Sequence, residues 1–287
     1  MAPTFDLQAH SVHSDGTLPA ALVVRAARQA GVELLALTDH DTVAGVPEAL
    51  EAARTEGIRV LPAAELSAVD GEHEELHVLG YGLRHADATL RDVLEDLRAD
   101  RERRVLQMAE RLRQAGLALD AGELDARRAR GEPLGRPHLA RAVLEHPANA
   151  ARLAAEGVAG PRELFPRYLV PGTATYVPRS RPTVADAIGL IHDAGGLAVW
   201  AHPFWDLDAG EEVERTLRRF AALGLDGVEA FYPTHGPVQV ALLDDLAREL
   251  GLLTTGSSDF HGPEHGTFAG FRTFALHGLR PRLGSLA

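Results

Sequence analysis

The amino-acid sequence predicts an α/β fold in which about seven strands follow one another in a barrel-like order, interrupted by one helical insertion. Short apolar runs of strand length alternate with amphipathic stretches of helix length, the rhythm of parallel βα units. Between residues 88 and 167 that rhythm gives way to an Arg-, Glu-, Ala- and Leu-rich pattern that is helical throughout. The length, 287 residues, suits one barrel of about 250 residues carrying an insertion.

Taken in order, residues 4–9 read as a strand, 18–30 as a helix ended by Gly31, and 32–37 as a second strand. Residues 46–56 form a helix stopped by Gly57, followed by strands at 58–64 and 76–81. The helical stretch 88–167 carries breakers at Gly116, at 131–133 and at Pro147. Alternation then resumes with helix 184–194, strand 197–201, helix 211–223, strand 227–231, helix 238–250 and strand 252–256. The expected organisation is a barrel built from residues 1–87 and 168–287, with 88–167 as a helical subdomain forming a lid.

Composition narrows the function classes. The chain has 41 acidic and 29 basic residues, a net charge of −12, 14 His and no Cys, and every basic residue is Arg. Without Cys there is no disulfide framework, no thiolate nucleophile and no thiolate zinc site. Without Lys there is no P-loop lysine and no lysine Schiff base. The acidic excess argues against duplex nucleic acid, which needs a basic face, yet leaves room for a small anionic substrate where Arg and metal ions reverse the local field. No apolar run approaches the ~20 residues that cross a bilayer, and no basic segment leads into an apolar one near residue 1. The expectation is a cytoplasmic protein with no membrane partner.

A subset of the histidines falls where predicted strands end. His10 follows the first strand, with Asp15 close behind. Asp39, His40 and Asp41 close the second, Glu65 the third, and His77 lies in the fourth. His202 follows strand 197–201, and Asp259 and His261 follow the last. In a parallel barrel the carboxyl ends of all strands open on one face, so these groups converge. Singly, each has an ordinary explanation: a turn at Ser14-Asp15-Gly16, a helix cap at Asp39 to Asp41, an ion pair at Glu65, a core or surface residue at His77. Jointly they point to metal, because separate explanations would all have to fall on the same face. His, Asp and Glu without Cys suit zinc, manganese or iron. So many ligands suit two to three divalent ions sharing a carboxylate, an arrangement that activates water and clamps phosphate.

The spacing resembles that of the PHP family, whose name joins polymerase and histidinol phosphatase. The family's opening signature, Asp-Leu-His-x-His-Ser/Thr and then Ser-Asp-Gly, stands here as Asp6-Leu7-Gln8-Ala9-His10-Ser11 and Ser14-Asp15-Gly16. Leu37-Thr38-Asp39-His40-Asp41, Glu65, His77, Ala201-His202-Pro203 and Ser258-Asp259-Phe260-His261 match its later motifs in order. The resemblance implies a distorted (β/α)7 TIM-like barrel with a trinuclear metal site. It implies one centre at Gln8, His10, Glu65 and Asp259, a second at Glu65, His77 and His202, and a third at Asp15, His40 and His261. Glu65 and Asp259 would take part in catalysis, while Asp39 and Asp41 would orient ligands. Gln8 departs from the family's first histidine. An amide oxygen ligates more weakly than imidazole, so the first centre is expected to be less occupied or lost.

The insertion is similar to that of one branch of the family. Asp100-Arg101-Glu102-Arg103, Gly135-Arg136-Pro137-His138 and Tyr168-Leu169-Val170-Pro171-Gly172, leading into Ala174-Thr175-Tyr176-Val177-Pro178, resemble the nucleoside 3′,5′-bisphosphate phosphatases and 5′-to-3′ exoribonucleases. Two readings stand for Arg136 and His138: contact with a substrate phosphate or leaving oxygen, or the start of a helix with Pro137 in its first turn. Arg179 and Arg181 are either phosphate clamps, whose guanidinium forks match phosphate oxygens, or solvated arginines. His235 is either a proton donor to the leaving group or a loop histidine. The resemblance implies a metal-dependent phosphoesterase that removes the 3′-phosphate of nucleoside 3′,5′-bisphosphates or trims short single-stranded oligonucleotides. The alternatives are a phosphatase for another small metabolite, such as histidinol phosphate, and a nucleotide- or metal-binding protein whose hydrolytic centre was lost with Gln8.

Overall fold

Seven strands form one sheet in sequence order: β1 (Phe5–Asp6), β2 (Leu34–Leu37), β3 (Arg59–Asp70), β4 (His73–Tyr81), β5 (Leu197–Trp200), β6 (Gly227–Phe231) and β7 (Leu253–Gly256). The structure is a computed structural model that describes residues 3–71, 73–129, 133–179 and 182–287. The pairs β1–β2, β2–β3, β5–β6 and β6–β7 are parallel. Beyond β1 the chain pairs with the segment after β7. Leu7 N donates to Gly256 O at 3.1 Å, His10 N to Phe260 O at 2.8 Å and Phe260 N to Gln8 O at 3.3 Å. First and last strands thereby meet, and the sheet is a nearly closed barrel.

The all-parallel expectation fails at β4, which runs antiparallel to both β3 and β5. A parallel return needs a crossover of about a dozen residues or more. Here Asp70 pairs directly with His73, with Gly71 between them at φ +59°, so β3 turns straight back. The hairpin lengthens both strands beyond the runs 58–64 and 76–81. β1 is shorter than 4–9: past Asp6 the chain is bridged on one side to Gly256 and Phe260 and on the other only through Thr38, whose N–H donates to Ala9 O at 2.9 Å.

The helices are α1 (Ala20–Gln29), α2 (Val46–Glu56), α3 (Ala88–Gln114), α4 (Ala121–Ala129), α5 (Arg136–Leu144), α6 (Ala150–Ala155), α7 (Pro161–Tyr168), α8 (Val184–Asp193), α9 (Pro203–Asp206), α10 (Gly210–Ala222) and α11 (Pro237–Leu250). α2 and α11 end at Gly57 and Gly251, whose φ of +65° and +71° a residue with a Cβ rarely adopts. α8 starts at a reciprocal cap: Asp186 N donates to Thr183 Oγ1 at 3.1 Å and Thr183 N to Asp186 Oδ2 at 2.9 Å.

The chain divides into two compact units, Met1–Leu94 with Arg181–Ala287, and Glu95–Ser180. In the first, the apolar stripes of α1 and α2 pack Val23, Val24, Ala27 and Ala49 against Leu35 of β2. Tyr81 and Trp200 are fully buried, and Tyr81 OH donates to Leu7 O at 2.8 Å. The second unit has its own core, in which Met108 and Leu112 of α3 meet Leu139 and Val143 of α5 and Leu164 of α7. The buried Arg104 guanidinium there donates to Val177 O at 3.0 Å and Tyr176 OH at 3.2 Å. Among the described residues, no helix is long and apolar enough to cross a membrane.

Candidate metal centre

Glu65 lies at the middle of the site because β3 is anchored there on both sides by the β2 end. Its N–H donates to Asp39 O at 3.2 Å, and its carbonyl accepts from Asp41 N at 2.9 Å. Four imidazoles approach its buried carboxylate. Oε1 lies 2.8 Å from His77 Nδ1 and 3.3 Å from His202 Nε2. Oε2 lies 3.1 Å from His10 Nε2 and 3.6 Å from His40 Nδ1. His10 Nε2 also lies 3.1 Å from Asp259 Oδ1. On the far side of His10, Asp15 Oδ1 is 3.5 Å from His261 Nε2 and Asp15 Oδ2 is 3.5 Å from His40 Nε2. The rings of His261, His10, His40 and His77 follow one another with successive centroids 4.2, 4.7 and 5.0 Å apart, the first pair stacked and the next two tilted.

Three groups of these atoms each fall within 4.8 Å of one another: His10, Asp15, His40 and His261; His40, Glu65 and His77; His10, Glu65 and Asp259. The antiparallel β4 still delivers His77, because a side chain in mid-strand can face the barrel mouth from either chain direction. Asp41, His202 and Asp259 hold φ of +52°, +28° and +52°. That backbone is strained for residues with a Cβ, and all three lie just past strand ends within the cluster.

The chemistry of the donor set fits divalent cations. His10 Nε2, Asp15 Oδ1 and Asp259 Oδ1 are buried and make no aligned hydrogen bond among the described residues, though His10 and Asp259 approach to 3.1 Å. Close approach without alignment, in a buried cluster holding Asp15, Glu65 and Asp259, is costly unless a cation takes up the lone pairs. Imidazole and carboxylate donors with no thiolate suit zinc, manganese or iron. The electrostatics agree. Burial alone would raise the Glu65 carboxyl, but the neighbouring His40 and His77 charges outweigh it and hold the group well below the usual carboxylate range.

A layer of hydrogen bonds orients these side chains. Asp39 Oδ1 accepts from Ser11 N and Ser14 Oγ, and Asp39 Oδ2 from Ser11 Oγ, each at 2.7 Å. Ser14 Oγ in turn lies 3.4 Å from His10 Nδ1. Asp41 Oδ1 accepts from Ser67 N at 3.0 Å, tying the β2 end to β3. Tyr232 OH donates to Asp259 Oδ2 at 2.8 Å.

Gln8 reaches the cluster, but its carboxamide turns its nitrogen to the metal-ligand side. Nε2 donates to Glu65 Oε2 at 2.9 Å, and Oε1 accepts from Ser257 Oγ at 3.3 Å. Ser257 Oγ is also 2.6 Å from Glu229 Oε1. Burial pushes the Glu229 carboxyl up to about 8, so near neutral pH it is mostly the protonated acid. Ser257 Oγ donates to Glu229 Oε1 and also lies against Gln8 Oε1, while Gln8 Nε2 donates to Glu65, so the three side chains form one chain of contacts. Reversing the carboxamide would bring two oxygens, Gln8 Oε1 and Glu65 Oε2, face to face.

The structure brings Gln8, His10, Asp15, His40, Glu65, His77, His202, Asp259 and His261 into one cluster. His235 is buried in the same unit, its Nδ1–H donating to Ala230 O at 3.0 Å and its ring 5.3 Å from Tyr232. Arg136, His138 and Arg179 belong to the second unit. Arg136 Nη1 donates to Leu169 O at 3.2 Å, His138 Nδ1 accepts from Gly135 N at 3.0 Å where α5 begins, and Arg179 is buried. Arg181 lies outside the described residues. Sequence reasoning missed Glu229, Ser257 and Tyr232. The signal for Glu229 was available: one carboxylate inside the otherwise apolar run Gly227–Phe231.

The PHP domain family matches residues 6–151. A 5′-3′ exoribonuclease of Salmonella typhimurium is 35% identical over 265 residues, covering 91% of this chain and 86% of that protein. A 3′,5′-nucleoside bisphosphate phosphatase of Chromobacterium violaceum is 36% identical over 272 residues, covering 91% and 88%. A solved structure from Bifidobacterium adolescentis, described as a metal-dependent phosphoesterase, is similar with a TM-score of 0.77 at 30% identity, over 93% of this chain and 91% of that one.

Proposed function

Because the chain belongs to the PHP family, a family of metal-dependent phosphoesterases on nucleotides among its near relatives, we propose that it removes the 3′-phosphate from nucleoside 3′,5′-bisphosphates. The ends of short single-stranded RNA are the related substrate class, since relatives named for both activities match equally well. The chain is a metal-dependent phosphoester hydrolase. The observation that carries the reading is Glu65, one buried carboxylate approached within 3.6 Å by four imidazoles.

Two to three divalent ions of the manganese, iron or zinc type would be held by His10, Glu65 and Asp259, by Glu65, His77 and His202, and by Asp15, His40 and His261. Such ions supply Lewis acidity toward phosphoryl oxygens and ionise water near neutral pH. The chain's own groups prepare the site. Asp39, through Ser14, turns His10; Tyr232 fixes Asp259; Asp41 fixes the β2–β3 junction. Burial holds the His235 imidazole down to about 4, so near neutral pH the ring is neutral, its Nδ1–H donating to Ala230 O and its buried Nε2 without a partner among the described residues.

Gln8 makes the ion beside His10 and Asp259 the weakest, because its amide nitrogen is turned toward Glu65 and offers no lone pair. A Gln8→His variant should therefore retain that ion at least about tenfold more tightly. Elemental analysis after dialysis against a graded chelator reads this, and unchanged or lower metal content would refute it.

The primary test is metal content by elemental analysis with phosphate release from adenosine 3′,5′-bisphosphate on the same preparation, run beside histidinol phosphate. Two to three metals per chain and faster release from the nucleotide support the reading. Faster release from histidinol phosphate overturns the substrate assignment. Fewer than two metals and no release after manganese is added back would make the chain a binding protein.

A further inference from the structure

We propose that Trp205 is the platform on which the substrate's nucleobase stacks. The inference rests on the nucleotide phosphoesterase reading and names the part of the substrate that the metal cluster cannot recognise. The chain has two tryptophans, and they differ sharply: Trp200 is fully buried, while Trp205 is 54% exposed. A single exposed apolar side chain needs no explanation by itself; what sets Trp205 apart is where it stands, next to the cluster.

Its position is tied to the metal ligands by the backbone. Trp205 lies on the single turn of α9, and its N–H donates to the carbonyl of His202 at 2.8 Å. The next residue, Asp206, directs Oδ2 to within 3.8 Å of His202 Nδ1. The ring is therefore held at the edge of the cluster by residues on both sides of it. The ring meets Phe268 tilted at 58° and Tyr232 edge-on at 74°, at centroid distances of 5.6 and 6.4 Å. Phe268 continues to the His261 ring at 5.8 Å, and Tyr232 bonds Asp259. The indole is thus braced by an aromatic group that runs into the cluster, while more than half of its surface stays open to solvent.

That arrangement suits a flat, uncharged π-system attached to a phosphoester. Every nucleobase offers a π-face whatever its hydrogen-bonding edge, so stacking on a supported aromatic ring is strong and tolerant of sequence. A tryptophan also adds no charge to an already charged cluster. The platform would select nucleotides over sugar phosphates while discriminating weakly among bases.

Two variants and a binding measurement test the assignment. Removing a stacking ring costs about 1–3 kcal/mol per base, so Trp205→Ala should raise KM for adenosine 3′,5′-bisphosphate about tenfold to a hundredfold with a smaller change in kcat. The preference for that substrate over ribose 5-phosphate should fall by a similar factor, and Trp205→Phe should keep most of it. In the wild type, adenosine 3′,5′-bisphosphate should quench tryptophan fluorescence and ribose 5-phosphate should not. An unchanged KM in Trp205→Ala, or a KM raised alike for both substrates, overturns the proposal. So does the absence of base-dependent quenching. If the wild type releases no phosphate from any nucleotide, the phosphoesterase reading fails, and the fluorescence titration alone decides the platform.

Discussion

A Glu65→Ala variant should lose bound metal and release phosphate at least about 100-fold more slowly than the wild type. Replacing a residue that merely supports a metal ligand costs about 10- to 100-fold in affinity or activity. Glu65 lies inside that layer: its two oxygens are shared among His10, His40, His77 and His202, with Gln8 donating to one of them. Removing the carboxylate takes the acceptor from Gln8 and His202 and deletes the negative charge that two of the three candidate groups share. Glu65→Gln keeps the volume and one carbonyl oxygen but not the charge, so it should be impaired in metal retention as well. Initial rates and metal content on one preparation, with circular dichroism to confirm the fold, make the comparison. Wild-type metal and rate in Glu65→Ala would mean that the centre is not organised around this carboxylate.

Asp39→Ala should be the most damaging change outside the ligand set, and its effect should be on stability first. The Asp39 carboxylate is buried and accepts three hydrogen bonds, each at 2.7 Å, from Ser11 N, Ser11 Oγ and Ser14 Oγ. A hydrogen bond to a charged group contributes about 1.5–3 kcal/mol, and a buried donor left without a partner costs about 1–3 kcal/mol. These effects do not add fully, so a loss of about 3 kcal/mol or more is expected. Urea unfolding of the chelator-treated protein measures it, since bound metal would mask part of the loss. Asp39→Asn keeps an acceptor and should lose less. A shift below about 1 kcal/mol in Asp39→Ala would show that Ser11 and Ser14 find other acceptors.

The sequence by itself determined the order of elements and which His, Asp and Glu side chains gather in one cluster. The helix stop at Gly57 was legible because an αL residue after an amphipathic run has few substitutes. His10, His40, His202 and Asp259 follow strands, and strand ends in a barrel share a mouth, so local patterning was enough to gather them; Glu65, expected at a strand end, lies in mid-strand because β3 continues to Asp70. What only the tertiary structure decided depends on pairings that leave no periodic trace. The direction of β4 was hidden because an apolar run reads the same either way; the turn at Gly71, which pairs Asp70 with His73, reverses it. The orientation of Gln8 was hidden because its oxygen is taken by Ser257, 249 positions away, which itself answers to Glu229. The place of Trp205 depends on Phe268 and Tyr232, further along the chain, whose rings meet it at 5.6 and 6.4 Å. Residue type and spacing report the chemistry a chain can offer. Which atom of a side chain faces the site is set by its neighbours in space, and those come from distant parts of the chain.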